Sequence, residues 1–226
     1  MSIGIIPAAG HATRMNHLPK MLLPIPTGGT LIEALCGRMG AIHARQLVIG
    51  TRSTHYEALA SLCSAVVYRA ETQTMSETVL AAKPYVWEGE YTVFGMPDSY
   101  FDDTQAYAKL HSALRDGADV AAGVFYTRRS QRGKTGMCEL RSGRVVRIED
   151  KPEHTELVWG WGVLAWRYDF WQHIQPDDPH VGYAVQRAIE WGMDVRAVKL
   201  EGEYFDCGTP EEYFALVNHL TARAAV

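Results

Sequence analysis

This 226-residue sequence has little net charge, no long apolar run and no paired cysteines. Each absence removes a class of function. A formal charge of −4 gives no global field for nucleic acid or an anionic membrane, so any anion site has to be local. No apolar stretch is long enough to span a bilayer, and no charged-then-apolar leader is present. The expectation is a cytoplasmic protein without a membrane or nucleic-acid partner. Cys36, Cys63, Cys138 and Cys207 lie far apart with no CxxC spacing, which argues against a zinc knuckle and for a reducing compartment. They read as small buried apolar residues. Repeats and low-complexity linkers are missing. So are the G-K-[ST] of a Walker loop and the GxGxxG of a dinucleotide site, which removes the dehydrogenase reading.

What is present is an ordinary globular composition, 47% apolar and 21% charged, over a length that fills one core. The first two-thirds alternates strand and helix. Ile3 to Pro7, "QLVIGT", "AVVYR", "YTVFGM" and "DVAAGVFYT" read as strands. Helices are expected over Thr30 to Ala44, in "THYEALASLC", in "TMSETVLAAKPYV" and over Thr104 to Arg115. Three of these open T-x-x-E, with Thr30, Thr54 and Thr74 as caps. Such alternation predicts βαβ units and a mostly parallel sheet, with ligands at the C-terminal strand ends. After about Arg128 the rhythm changes. "GMCELRSGRVVRIEDKP" predicts a hairpin turning at Ser142-Gly143. "GWGVLAW" and "VRAVKL" follow as strands, with a helix over Val181 to Trp191 between them. A last helix begins at "TPEE", with Thr209 capping, Pro210 in the first turn and Glu212 completing the box.

Four stretches carry possible chemistry. In "AAGHATRMNHLPK", Gly10 follows the first strand, Arg14 offers a fork matched to phosphate oxygens, and Lys20 adds a point charge. A plain turn with two solvated cations is the bland alternative. In "GMPDSYF", Asp98 lies just past the fourth strand. In "YFDCGTPEEY", Asp206 precedes a capped helix. Two carboxylates at strand ends could share one Mg²⁺, or Asp206 could belong to a turn. Asp102 and Asp103 read as helix-terminus residues. In "IEDKPEH", Lys151 is either a phosphate cation or an exposed loop lysine, and Glu149 and Asp150 are acceptors for a polyol. Trp159, Trp161 and Trp166 suit either core packing or stacking on a sugar face. His11 and His17 do not stand out as bases.

Taken together, "GHATR", "LPK", "MPDS", "EDKP" and "DCGTP" resemble, in order, the motifs of the sugar-1-phosphate nucleotidyltransferases, the nucleoside-diphosphate-sugar pyrophosphorylases. The resemblance covers nearly the whole chain. It implies an α/β fold, a three-layer α/β/α sandwich on a mostly parallel Rossmann-like sheet with a small β-rich sugar-binding lobe. It also implies one domain over 1–226, with a nucleotide-binding half over about 1–127 and a sugar-phosphate-binding half over about 128–226. By the same resemblance Ala8, Ala9, Gly10, His11, Ala12 and Thr13 cradle the nucleotide phosphates, and Arg14 and Lys20 hold and polarise the triphosphate. Gln73 and Ser76 fall in the segment that lines the nucleobase pocket. Asp98 and Asp206 hold Mg²⁺. Lys151 grips the acceptor phosphate, Asp150 contacts the sugar, and Gly136 and Gly162 line the sugar pocket. The catalytic set is thus Arg14, Lys20, Asp98, Lys151 and Asp206.

The implied partners are an NTP and a sugar 1-phosphate, on a monomer or homodimer. Ala12 stands where the family has a second loop glycine. A positive φ there would be strained, so the loop is expected to differ in shape. Two rival readings are a cytidylyltransferase for a non-sugar phosphate, such as phosphocholine or a polyol phosphate, and an inactive nucleotide-binding regulator. The base and the sugar are not legible.

Overall fold

The computed structural model of the chain describes residues 1–128, 131 and 133–224. Strands β1 (Ser2–Ala8), β2 (Gln46–Thr51), β3 (Val66–Arg69) and β4 (Tyr91–Gly95) begin the sheet. They pair in parallel, with β1 between β2 and β4. Every residue of β1 is buried. That is why its sequence is a continuous apolar run and not an alternation.

Helix α1 (Leu31–Gly40) starts at a complete capping box. Thr30 Oγ1 accepts from Glu33 N at 3.4 Å, and Glu33 Oε2 accepts from Thr30 N at 2.9 Å. The helix stops at Gly40, short of Ala44, and His43 beyond it takes a φ of 52°. Helix α2 (Tyr56–Leu62) departs from the sequence reading. A 3₁₀ turn over Ser53–His55 precedes it, and His55, not Thr54, occupies the cap without a side-chain bond. Helix α3 (Met75–Ala81) keeps its Thr74 cap, which accepts from Glu77 N at 2.9 Å. It ends before Pro84, which sits in a separate 3₁₀ turn over Lys83–Tyr85.

The remaining elements are β5 (Ser99–Phe101), α4 (Ala106–Arg115), β6 (Val120–Tyr126), β7 (Met137–Arg141), β8 (Arg144–Glu149), β9 (Trp159–Trp166), α5 (Gly182–Glu190), β10 (Val195–Lys199), β11 (Tyr204–Asp206) and α6 (Pro210–Ala224). The main sheet has nine strands in the order β3-β2-β1-β4-β9-β6-β10-β8-β7. It is mixed, which corrects the mostly parallel expectation. Strand β9 inserts antiparallel between β4 and β6, and β8 pairs antiparallel with both β10 and β7. Nor do β7 and β8 form a separate β-rich lobe. They extend the same sheet, and β7 also pairs with β9. Their turn is the one read from the sequence, with positive φ at Ser142 (48°) and Gly143 (79°) as a two-residue I′ hairpin requires.

Successive residues of the central strands feed opposite cores. Ile5, Val48, Phe94 and Leu164 pack on one face with Val79 of α3 and Ala184 of α5. Ile6, Ile49, Val93 and Val163 pack on the other with Leu35 of α1 and Leu110 of α4. This is the period-2 geometry of a strand covered on both sides. Trp166 is wholly buried against Phe94 and Phe170, so it serves packing. Asp103 Oδ1 accepts from Gln105 N at 2.9 Å beside the start of α4. Asp102 instead reaches α6, meeting His219 at 3.1 Å and Arg223 at 2.8 Å. Three of the cysteines are buried, Cys36 is partly so, and all four are free thiols. Among the described residues no helix is long and apolar enough to cross a membrane.

A second, two-stranded ribbon pairs β5 with β11 antiparallel, with Ser99 opposite Asp206. The next residue continues the link, as Cys207 N donates to Asp98 O at 2.9 Å. This small ribbon brings the two halves of the chain together at one point.

Candidate active site

A cleft of about 320 Å³ opens at the C-terminal ends of β1 and β4. One wall is the loop after β1. Pro7 to Ala12 and Arg14 line it, and Thr13 lies outside it, exposed in a short 3₁₀ turn. Gly10 carries no positive φ, and a Cβ there would meet nothing within 4 Å. Its lack of a side chain therefore leaves the cleft open and serves no tight turn. The strained position is Ala12, at φ 50° and ψ 37°. Ala12 thus takes the left-handed conformation that a non-glycine residue disfavours, at about 1–2 kcal/mol of steric strain.

Several contacts hold that conformation. Ala12 O accepts from Met15 N at 2.9 Å and His17 N at 3.0 Å. His17 Nδ1 lies 3.0 Å from His11 O. Just after β2, Arg52 Nη1 donates to Ala9 O at 3.4 Å and lies 3.1 Å from His11 Nε2. Glu71 anchors Arg52 at 2.8 Å. Both loop histidines and Arg52 thus position backbone. Arg52 was not foreseen, since a lone arginine after a strand gives no sequence signal.

At the cleft floor Lys20 Nζ meets Asp98 Oδ2 at 2.7 Å, both side chains being largely buried. Pro19 precedes the 3₁₀ turn that presents Lys20. Asp206 arrives from β11. Its carboxyl is pushed up to about 7, first by burial, then by the charges of Asp98 and Glu212, against the pull of Lys20 and Arg14. Two carboxylates that resist joint ionisation suit a divalent cation. Among the described residues no group of three His, Cys, Asp or Glu could hold a metal by itself. A cation here would need ligand oxygens to complete its shell, as Mg²⁺ with phosphates does.

The far wall comes from the second half. Gly136, Asp150, Lys151, Trp161 and His180 line it, with Lys134 and Thr135. Asp150 Oδ1 lies 2.9 Å from His180 Nε2, and Asp150 Oδ2 accepts from Tyr183 OH at 3.3 Å. Burial alone would raise the Asp150 carboxyl, but His180, Lys151 and Tyr183 outweigh it and hold the group below its usual range. Lys151 is exposed, with a left-handed φ of 41°. Glu149 does not join the cleft wall. It pairs with Arg147 and accepts from Thr155 Oγ1 at 3.1 Å.

Two glycines turn out to serve tryptophan and tyrosine. A Cβ on Gly136 would overlap the Trp161 indole, which forms part of the cleft wall. Gly162 does not line the cleft, because the Tyr204 ring fills the space where its Cβ would stand. Tyr204 itself lines the cleft and donates to Ser99 Oγ at 2.7 Å. On the base side, Gln73 lines the cleft with Thr72, Thr74 and Met75, whereas Ser76 is buried within α3, away from it. Lys134, His180 and Tyr204 line the cleft and were missed as site residues. None carries a local signal of its own, and only the fold brings them to the cleft.

The profile of the MobA-like NTP transferase domain matches residues 4–189. The chain belongs to that family. Among curated proteins, the glucose-1-phosphate thymidylyltransferase of Streptomyces antibioticus is 26% identical over 142 residues, which is 59% of this chain and 39% of that protein's length. This MobA-like chain therefore spans well under half of that relative. Among solved structures, UDP-glucose pyrophosphorylase complexed with UDP-glucose superposes with a TM-score of 0.82 at 17% identity, covering 99% of each chain. The inositol-1-phosphate CTP transferase of T. maritima superposes at 0.77 and 16% identity, covering 97% of this chain and 96% of that one. At such identities these structures share the fold.

Proposed function

We propose that this protein transfers a nucleoside monophosphate from an NTP to a sugar 1-phosphate, giving an NDP-sugar and pyrophosphate. One observation carries the reading. One cleft is lined by the loop after β1 with Arg14 and Lys20, by Asp98 and Asp206, and by Asp150 and Lys151. The half over about 1–127 would take the nucleotide and the half over about 128–226 the acceptor. Likeness in sequence to a glucose-1-phosphate thymidylyltransferase supports the sugar class.

The acceptor phosphate is already anionic at neutral pH, so attack on the α-phosphorus needs no general base. The difficulty is bringing two anions together in line. Backbone of Ala8 to Ala12 and the Arg14 fork would hold the triphosphate. Lys20 would neutralise charge at the α-phosphate, and Lys151 would hold the attacking phosphate. Such positioning and preorganised charge account for most of the catalysis in phosphoryl transfer. Asp98 and Asp206 would hold Mg²⁺, which supplies charge neutralisation on the phosphate oxygens when bound. Asp150, with His180 and Tyr183 behind it, would accept hydrogen bonds from acceptor hydroxyls. Gln73 is the best-placed reader of the base.

The test is a matrix of dTTP, UTP, CTP, ATP and GTP against glucose 1-phosphate, other sugar 1-phosphates, inositol 1-phosphate and phosphocholine, with products read by mass. An NDP-sugar with equimolar pyrophosphate is the expected outcome. Product only with a non-sugar phosphate would replace the acceptor assignment, and nucleotide binding without pyrophosphate release would favour a regulator.

A further inference from the structure

Lys134 lines the acceptor side of the cleft, yet its ammonium is held by a residue of the last helix. Its Nζ lies 3.0 Å from Glu212 Oε1. Glu212 has left its expected place in the capping box. Its backbone N–H donates to Thr209 Oγ1 at 3.4 Å, but its carboxylate points away to Lys134. The other oxygen, Glu212 Oε2, is buried and has no hydrogen-bond partner. It lies close to Asp206 and Arg14. Around the position a Cβ on Gly208 would take, Asp206 Oδ1 stands at 3.2 Å, Glu212 Oε2 at 3.3 Å and Arg14 Nη2 at 3.4 Å. These groups therefore meet across one methyl-sized space.

Resting on the nucleotidyltransferase reading, we propose that Lys134 is a further contact to the acceptor phosphate and that Glu212 is its positioning residue. Lys134 shares its loop with Thr135 and Gly136, which belong to the acceptor wall, while Glu212 draws its ammonium toward the carboxylates. The attacking phosphate has to sit in that interval, between the acceptor body and the α-phosphorus. An ammonium has three donors, so Lys134 can keep Glu212 and still donate to a phosphate oxygen. A carboxylate oxygen left buried without a donor is unfavourable, which leaves Glu212 with Lys134 as its one ion-pair partner among the described residues. No bond is made or broken by either residue.

The experiment measures KM for glucose 1-phosphate and for the NTP separately, with kcat, for wild type, K134A, K134R, E212Q and the K134A/E212Q double variant. Affinity for glucose 1-phosphate is also measured by calorimetry with a non-hydrolysable NTP present. Both side chains are partly exposed, and melting temperatures check folding. Expected is an acceptor KM raised about 10-fold or more in K134A, as for a lost hydrogen bond to a charged group. The NTP KM should stay within about twofold, and K134R should recover most of the loss. E212Q should weaken acceptor binding less, and should add nothing once Lys134 is gone. Equal changes in both KM values, no change, or an E212Q effect independent of Lys134 would overturn the assignment. Active wild type indifferent to K134A sinks this inference alone. Wild type that neither binds nor consumes any phosphate acceptor sinks the parent reading with it.

Discussion

Lys20 Nζ and Asp98 Oδ2 are joined at 2.7 Å across 78 residues of sequence, largely buried at the floor of the cleft. The pair is formed before any substrate arrives. It fixes a lysine where the α-phosphate is expected and ties Asp98 to the same floor as Asp206.

Asp98→Asn and Asp206→Asn are therefore expected to lower kcat by about 10²-fold or more, the scale of losing one preorganised charge contact. The fold should survive, since an amide fills the same volume. Steady-state rates with Mg²⁺, alongside a melting curve, provide the check. Full activity in both variants would remove the metal role.

Asp206 also makes a prediction about pH. Its folded value is about 7, while its ordinary value is 3.8. The folded state holds the proton more tightly, so without metal its stability falls as pH rises from about 4 through about 7. Between pH 5 and 8 in chelator, the wild-type melting temperature should fall relative to that of Asp206→Asn. In a chain of this size each kcal/mol moves it roughly 2–4 °C. Added Mg²⁺ should restore the wild type only. Parallel pH profiles for the two proteins would count against the raised carboxyl.

Gly10→Ala separates a binding role from a structural one. A Cβ there meets only open cleft. The melting temperature should be unchanged, while the KM for NTP rises several-fold. Unchanged kinetics would show that nothing approaches the loop closely.

Lys151→Ala should raise the KM for the sugar phosphate more than that for the nucleotide. Lys151 is exposed and its loss should leave stability untouched. Equal effects on both substrates would move Lys151 away from the acceptor.

Gly162→Ala should do the reverse of Gly10→Ala. Its Cβ would overlap Tyr204, which stacks on Phe125 with ring centroids 3.9 Å apart. Overpacking of this kind costs about 1–3 kcal/mol. A lower melting temperature with an unchanged acceptor KM is expected in the surviving folded protein.

The strands after which the cleft opens were legible because buried parallel strands leave plain apolar runs. The capping box at Thr30 and the Thr74 cap marked helix starts because the bonds are local. What escaped the sequence was long-range. The antiparallel insertion of β9 looks, residue by residue, like any buried strand, so parallel pairing was the natural default. Nothing local to Gly136 or Gly162 says that one accommodates Trp161 and the other Tyr204. Ala12 holds a left-handed φ that its own identity disfavours. Backbone bonds to its carbonyl and the Arg52 brace overrule its intrinsic preference. Glu212 resembled a helix cap because the cap sequence was intact. Only Lys134, 78 residues earlier, reveals where its carboxylate goes.

The ribbon of β5 and β11 has a consequence for how the protein comes to exist. Asp98 and Asp206 are neighbours only after a strand from near the end of the chain has docked beside Ser99. During synthesis, the nucleotide loop, Lys20 and Asp98 are all present long before their second carboxylate. A growing chain can bury much of its first core and still own half a cation site. The proposed cation site should then be completed late and abruptly, as β11 docks on β5 and helix α6 packs against it.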